Sequence, residues 1–186
     1  MKHHPTLPKE RILATALRLF HEQGYRATGI NQIISDAAVA KASLYLHYKS
    51  KEELGIEYLN ARQDIWFTQL KHFTDESKKP KKRILAAFDF LTYINEEEHF
   101  RGCSFLNMLS EIQNDDARLL ASIQRHKQQL RDFFKDILSE EKTDQTDIIY
   151  LLFESAMTES QLFKSHWPVE KAKQAVSDLF KLKYIK

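Results

Sequence analysis

An all-α fold of about nine helices follows from two features of the chain. Apolar residues recur every three or four positions through most of its 186 residues, and no stretch of alternating β-branched residues interrupts them. Four glycines and four prolines leave little material for a turn-rich β architecture, while a hydrophobic share of 42% is ample for a core.

The first helix is expected over residues 8–23. Pro8 suits a first turn, Ile12, Leu13, Ala16, Leu17 and Phe20 lie at helical spacing, and Gly24 falls where a left-handed C-cap belongs. Ile30, Ile33, Ile34 and Ala37 give the apolar side of a second, short helix whose cap is Thr28 or Gly29. Ala38, Val39 and Ala40 then form a turn with Val39 as its apolar plug, and residues 41–48 form a third helix. Ser50 and Glu53 make an S-x-x-E capping box, worth on the order of 1 kcal/mol, that opens the fourth. Leu54, Tyr58, Ala61 and Ile65 mark one face of it, and Leu59, Trp66, Leu70 and Phe73 a neighbouring one.

The polar stretch 74–82 is the clearest break. Pro80 lies near the start of a fifth helix, which holds Ile84, Leu85, Phe88, Leu91 and Ile94 and ends in the acids Glu96, Glu97 and Glu98. A short sixth helix is expected over 103–113, a long seventh from Asp115 or Asp116 to Leu138, an eighth over 147–164, and a last one from Pro168 to the C-terminus. Adjacent residues on a helix point in different directions, so Glu96–His99 reads as a solvated acidic end, not a metal site. His3 and His4 are too few for a metal-binding tract.

Net charge is only +2, so the whole-chain balance carries no case for nucleic acid. Its distribution is uneven: residues 1–54 hold eight Lys/Arg against five acids, leaving 20 against 21 in the remainder. One cysteine excludes an intramolecular disulfide framework and points to a reducing compartment. With no apolar run approaching 18 residues and no hydrophobic signal core, a soluble cytoplasmic protein is expected.

The second and third helices carry the chemistry. In a helix-turn-helix the second of the pair lies in the major groove of DNA and reads base edges from its N-terminal residues. Lys41 and Ser43 can donate hydrogen bonds there, and Ala42 can pack on a thymine methyl. Tyr45 and His47 flank that helix and can reach phosphates, while Lys51 combines its own charge with a helix N-terminus that favours an anion. Each alone could be an ordinary packing or surface residue; their joint spacing favours DNA binding.

The segment resembles the DNA-binding domain of the TetR family of one-component bacterial repressors. The run Leu44-Tyr45-Leu46-His47-Tyr48-Lys49-Ser50-Lys51-Glu52-Glu53-Leu54, preceded by Gly24-Tyr25, matches the family pattern over roughly residues 8–55. The resemblance implies that Lys41, Ala42 and Ser43 face bases and that Tyr45, His47 and Lys51 contact the backbone. It adds Thr28 as a phosphate-touching cap and Asn31 as a residue reaching a base edge, with Tyr25, Leu44 and Tyr48 as packing positions. Two positions depart from the pattern: Ala38 stands where Gly is usual, and Ala40 where a Ser/Thr cap is usual. Alanine tolerates helical angles, so neither forbids the fold.

The resemblance also implies a division into a helix-turn-helix domain, 1–54, and an effector-binding and dimerisation domain, 55–186. The last two helices would pack against their twins, with Ser155 and Ala156 small enough for close approach, and a homodimer would span a near-palindromic operator. An effector pocket among the middle helices would draw on Trp66, Phe88, Phe105, Met108, Phe153 and Met157, with Asn107 and Glu111 as polar groups; all could equally be plain core.

Cys103 lies in Arg101-Gly102-Cys103-Ser104-Phe105, similar to the Gly-Cys helix start of a TetR branch that includes electrophile-sensing repressors. A thiol at a helix N-terminus beside an arginine should be reactive toward quinones, aldehydes or oxidants; a buried packing role is the alternative. The chain lacks H-E-x-x-H, a Gly-rich phosphate loop, C-x-x-C and G-x-S-x-G, so neither enzymatic activity nor a cofactor is expected. The leading expectation is a homodimeric regulator, most simply a repressor released from DNA by a small molecule or electrophile. A constitutive regulator, or a helical enzyme or carrier, stands as the alternative.

Overall fold

The computed structural model describes residues 7–113, 115–138 and 143–181, so His3 and His4 lie outside the described residues. Nine α-helices run among those described: α1 Pro8–Gln23, α2 Ile30–Asp36, α3 Lys41–His47, α4 Lys51–Thr74, α5 Pro80–Glu97, α6 Ser104–Leu109, α7 Ala117–Leu138, α8 Thr143–Phe163 and α9 Trp167–Leu179. The all-α expectation holds. No described helix is long and apolar enough to cross a membrane.

The helices sort into two compact units, Met1–Asp64 with Ser104–Arg125, and Ile65–Cys103 with His126–Lys186. That partition does not follow the division at residue 54 expected from the sequence. α6 and the first turns of α7 belong with the N-terminal helices, although some forty residues of chain intervene.

In the first unit, Ile12, Ala16, Leu19 and Phe20 of α1 are buried, with Ile33 of α2, Leu44 of α3 and Leu54 and Tyr58 of α4. Burying each aliphatic side chain contributes roughly 1.5–3 kcal/mol. Phe20 meets Tyr25 and Tyr58 edge to face, with ring centres 5.2 and 5.4 Å away. Gly55 admits close contact here: a Cβ would lie 2.9 Å from the Tyr25 ring and 3.2 Å from Leu119 of α7. The polar surface is tied down by Arg18 to Asp36 at 2.7 Å and by Arg11 donating to the Ala38 carbonyl at 3.2 Å.

The helix ends follow their expected signals closely. Pro8 occupies the first turn of α1, and Gly24 closes it with its N–H donating to the Phe20 carbonyl at 3.1 Å, though at φ 98° and ψ 162° it is extended beyond the left-handed cap expected. The Glu53 N–H donates to Ser50 Oγ at 3.1 Å, and the Glu53 carboxylate accepts the Lys49 N–H at 2.7 Å, so the capping box closes one residue further back than the standard form. α6 is shorter than expected, because the Glu111 and Ile112 amides both turn back to the Met108 carbonyl at 3.0 Å.

The second unit is built on an aromatic core. Trp66 lies 5.1 Å from Phe90 and 6.2 Å from Phe153, which in turn lies 5.4 Å from Phe88 and 5.2 Å from Phe134. α8 packs on α9, and α5 packs on both. Arg131 forks onto Asp147 at 2.6 and 2.8 Å, an exposed pair that water and salt screen. Ile148, Leu151, Leu162, Phe163 and Trp167 remain exposed on α8 and α9.

Candidate nucleic-acid interface

The turn between α2 and α3 sets the interface. The Val39 N–H donates to the Ile34 carbonyl at 3.2 Å and the Ala38 N–H to the Ser35 carbonyl at 3.1 Å, the paired bonds of a Schellman closure. Ala38 occupies its left-handed position at φ 50°. That departs from the ordinary helical angles expected for this alanine: the position usually filled by Gly keeps the geometry Gly favours, so the methyl group is carried at a cost.

α3 starts without a side-chain cap. Ala40 is extended at φ −72° and ψ 148°, and its carbonyl accepts the Ser43 and Leu44 amides at 2.9 and 3.2 Å. Leu44 and Tyr48 are buried, which fixes the roll of this short helix. Lys41, Ala42 and Tyr45 are therefore exposed, and Ser43 and His47 half-buried at the margin. Asn31 is exposed on α2.

Leu46 was given no role in the sequence reading. It is 69% exposed, one turn beyond Ala42, and its position two residues after inward Leu44 was the available signal. Lys49 reaches back to the Tyr45 and Leu46 carbonyls, both at 3.4 Å, and satisfies the C-terminal end of α3.

Thr28 requires a correction. Its side chain is fully buried, and its hydroxyl donates to the Gly24 carbonyl at 2.8 Å. It closes the loop between α1 and α2 rather than presenting its hydroxyl to a phosphate, and Gly29 is the N-cap of α2. Lys51 is half-buried, with its ammonium 4.6 Å from the Tyr25 ring centre and 3.4 Å from the Arg26 carbonyl. Burial lowers its pKa below the ordinary value, against the opposing pull of Glu111.

The residues expected to form one effector pocket fall in both units. Phe105, Asn107, Met108 and Glu111 belong to the first; Trp66, Phe88, Cys103, Phe153 and Met157 belong to the second. Phe105 and Met108 are buried, Met108 beside Phe20 and Tyr58, and the Glu111 carboxylate accepts the Arg26 N–H at 2.6 Å. Phe88 and Phe153 are fully buried in the aromatic core. Cys103 is 9% exposed, and the cation beside its sulfur is Lys127, at 3.3 Å. α6 has only six residues, so the helix-terminus contribution expected for this thiol is small.

Taken together, a short helix held by two buried anchors, a tight closure before it and an exposed polar face define a helix-turn-helix head. Residues 12–58 match the family model described as bacterial regulatory proteins, tetR family. Over those residues the chain resembles the DNA-binding head of that family. It is 47% identical over 79 residues to the regulator LmrA of Bacillus subtilis, covering 42% of each chain. It is 29% identical over 135 residues to the repressor KstR2 of Mycobacterium tuberculosis, covering 69% of this chain and 64% of that one. The matches to the first curated relatives span only about two-fifths of their length or less. The fold extends further: a TetR-family regulator from Streptomyces coelicolor superposes with a TM-score of 0.87 at 24% identity, over 96% of this chain and 90% of the other.

Proposed function

We propose that the chain is a cytoplasmic, homodimeric, ligand-responsive transcriptional regulator, most simply a repressor that leaves its operator when a small molecule or electrophile binds. The observation that carries this reading is the roll of α3: Leu44 and Tyr48 point inward, so Lys41, Ala42, Ser43, Tyr45 and His47 are left for duplex DNA. Asn31 and Lys51 extend the same surface to a base edge and a phosphate.

The dimeric part rests on α8 and α9. Leu151, Leu162, Phe163 and Trp167 are exposed on these helices, which also border a groove of about 270 Å³ lined by Leu152, Ser155, Ala156, Trp167 and Ala172 together with Glu159 and Lys171. Exposed apolar area on this scale marks a surface that a partner covers. A second copy would place two reading helices on successive major grooves, roughly 34–36 Å apart. The effector would act by preferring the dimer whose head spacing no longer matches DNA.

The test begins with a duplex enriched from a random library by the wild-type chain. A near-palindromic sequence should emerge, and Tyr45→Ala or Lys51→Ala should weaken its binding. Full-strength binding by both variants would eliminate this placement of the reading head. Thermal shift against a small-molecule library separates a ligand-responsive regulator from a constitutive one, because a ligand of the folded state must raise its melting temperature.

A further inference from the structure

We propose that Glu111 is a positioning residue of the DNA-reading head: its carboxylate holds the turn at Gly24, Tyr25 and Arg26, and that turn supports Lys51 for a phosphate contact. The role rests on the DNA-binding function proposed above.

After α1 ends, the backbone amides of the turn need acceptors that the helix does not supply. The Arg26 N–H finds one in Glu111 Oε2, at 2.6 Å and 85 residues further along the chain. The carboxylate also lies against Gly24, where an added Cβ would stand 2.6 Å from Glu111 Oε1. Gly24 sits at φ 98°, so this position needs glycine both for its angle and for the approach of the acid. The acid is itself held firmly, since its own N–H returns to the carbonyl of buried Met108.

Lys51 rests on the same turn. Its ammonium lies over the Tyr25 ring and within reach of the Arg26 carbonyl, and Glu111 favours its charged form while burial opposes it. A carboxylate so near a phosphate-binding lysine repels DNA. Two roles for Glu111 thus predict opposite signs. As a competitor of phosphate, its removal tightens DNA binding; as a positioning residue, its removal weakens it.

The experiment measures binding to the duplex selected by the wild-type chain over a range of salt, for Glu111→Gln, Glu111→Asp and Glu111→Ala. The glutamine amide oxygen can accept the same N–H, so Glu111→Gln should bind within about threefold of wild type. The aspartate is one methylene too short, so Glu111→Asp should lose affinity about tenfold although it keeps the charge, as expected when a charged hydrogen bond is lost. With Lys51 no longer held, the slope of log affinity against log salt should flatten by about 0.9, one phosphate contact. Gly24→Ala should lower affinity in both backgrounds, because φ 98° disfavours alanine in each, and by less in Glu111→Ala, where no carboxylate meets the added methyl.

Wild-type affinity in Glu111→Asp, tighter binding in Glu111→Ala, or a salt slope unchanged across the series would each overturn the positioning role while leaving the proposed function intact. Failure of the wild-type chain to enrich any duplex would instead remove the proposed function, and this role with it.

Discussion

The ammonium of Lys127 lies 3.3 Å from the sulfur of Cys103 and 2.5 Å from Glu154 Oε2, and all three side chains are largely buried. Desolvation pulls the Lys127 pKa down, but the neighbouring Cys103 and Glu154 outweigh it and hold the pKa above 10.5. A cation beside a sulfur is the setting in which thiols attack electrophiles. Glu154 Oε1 is buried without a hydrogen-bond partner, so Lys127 is its main support.

Replacing Lys127 by Met should therefore act twice. Alkylation of Cys103 should slow, and stability should fall by about 2–4 kcal/mol because a buried carboxylate is left uncompensated. The double variant Lys127→Met/Glu154→Leu should recover most of the stability and none of the reactivity. Mass spectrometry of the alkylated protein and chemical denaturation read the two effects.

If Cys103 senses electrophiles, alkylation of the wild-type chain should release the selected duplex, and Cys103→Ser should keep it bound under the same treatment. Release from the serine variant at an unchanged rate would assign the sulfur a packing role only.

Alkaline stability should fall in a defined window. Burial raises the Tyr25 and Tyr48 pKa values from 10.0 to about 12, with nearby acids adding to the effect. The unfolded chain releases those protons first, so stability is level below pH 10.0, declines as pH rises, and levels off again near pH 12. Each tyrosine should account for up to about 2 kcal/mol of the loss. Tyr48→Phe removes one of the two and deletes a buried hydroxyl that has no partner, so it should be neutral or slightly stabilising at pH 7. Tyrosinate absorbance followed alongside denaturant midpoints checks both statements.

Ala38→Gly should stabilise the protein by about 1 kcal/mol, because the left-handed conformation at φ 50° costs an L-residue that much and glycine almost nothing. A melting temperature that falls instead would mean that the flexibility glycine adds to the unfolded chain outweighs the relief of strain.

If α8 and α9 form the proposed dimer face, the wild type should be dimeric by light scattering and Leu151→Glu monomeric at the same concentration, since that side chain is 63% exposed on α8. Binding to the selected duplex should weaken in parallel, because two joined heads share the association cost.

Helix positions were legible because their signals are local. Pro8, Gly24 and the Ser50–Glu53 box lie within a few residues of the ends they define, and the inner side of α3 at Leu44 and Tyr48 followed from the family resemblance. Thr28 was misread because its type suits a cap and a buried hydroxyl equally well; only the position of the Gly24 carbonyl decides between them. The contacts of Lys127 with Cys103 and of Glu111 with Arg26 cross 24 and 85 positions, and no periodicity encodes pairings at such separations. For the same reason a local reading placed Glu111 with a ligand rather than with the head.

The packing of α6 and early α7 on the N-terminal helices sets a practical limit on dissection. A fragment stopped near residue 64 would bare the ring of Tyr25 and the groove at Gly55 where Leu119 rests, and would leave the Arg26 amide to water. Nicked or truncated material would keep every side chain proposed to touch bases and still hold them too loosely to read a sequence.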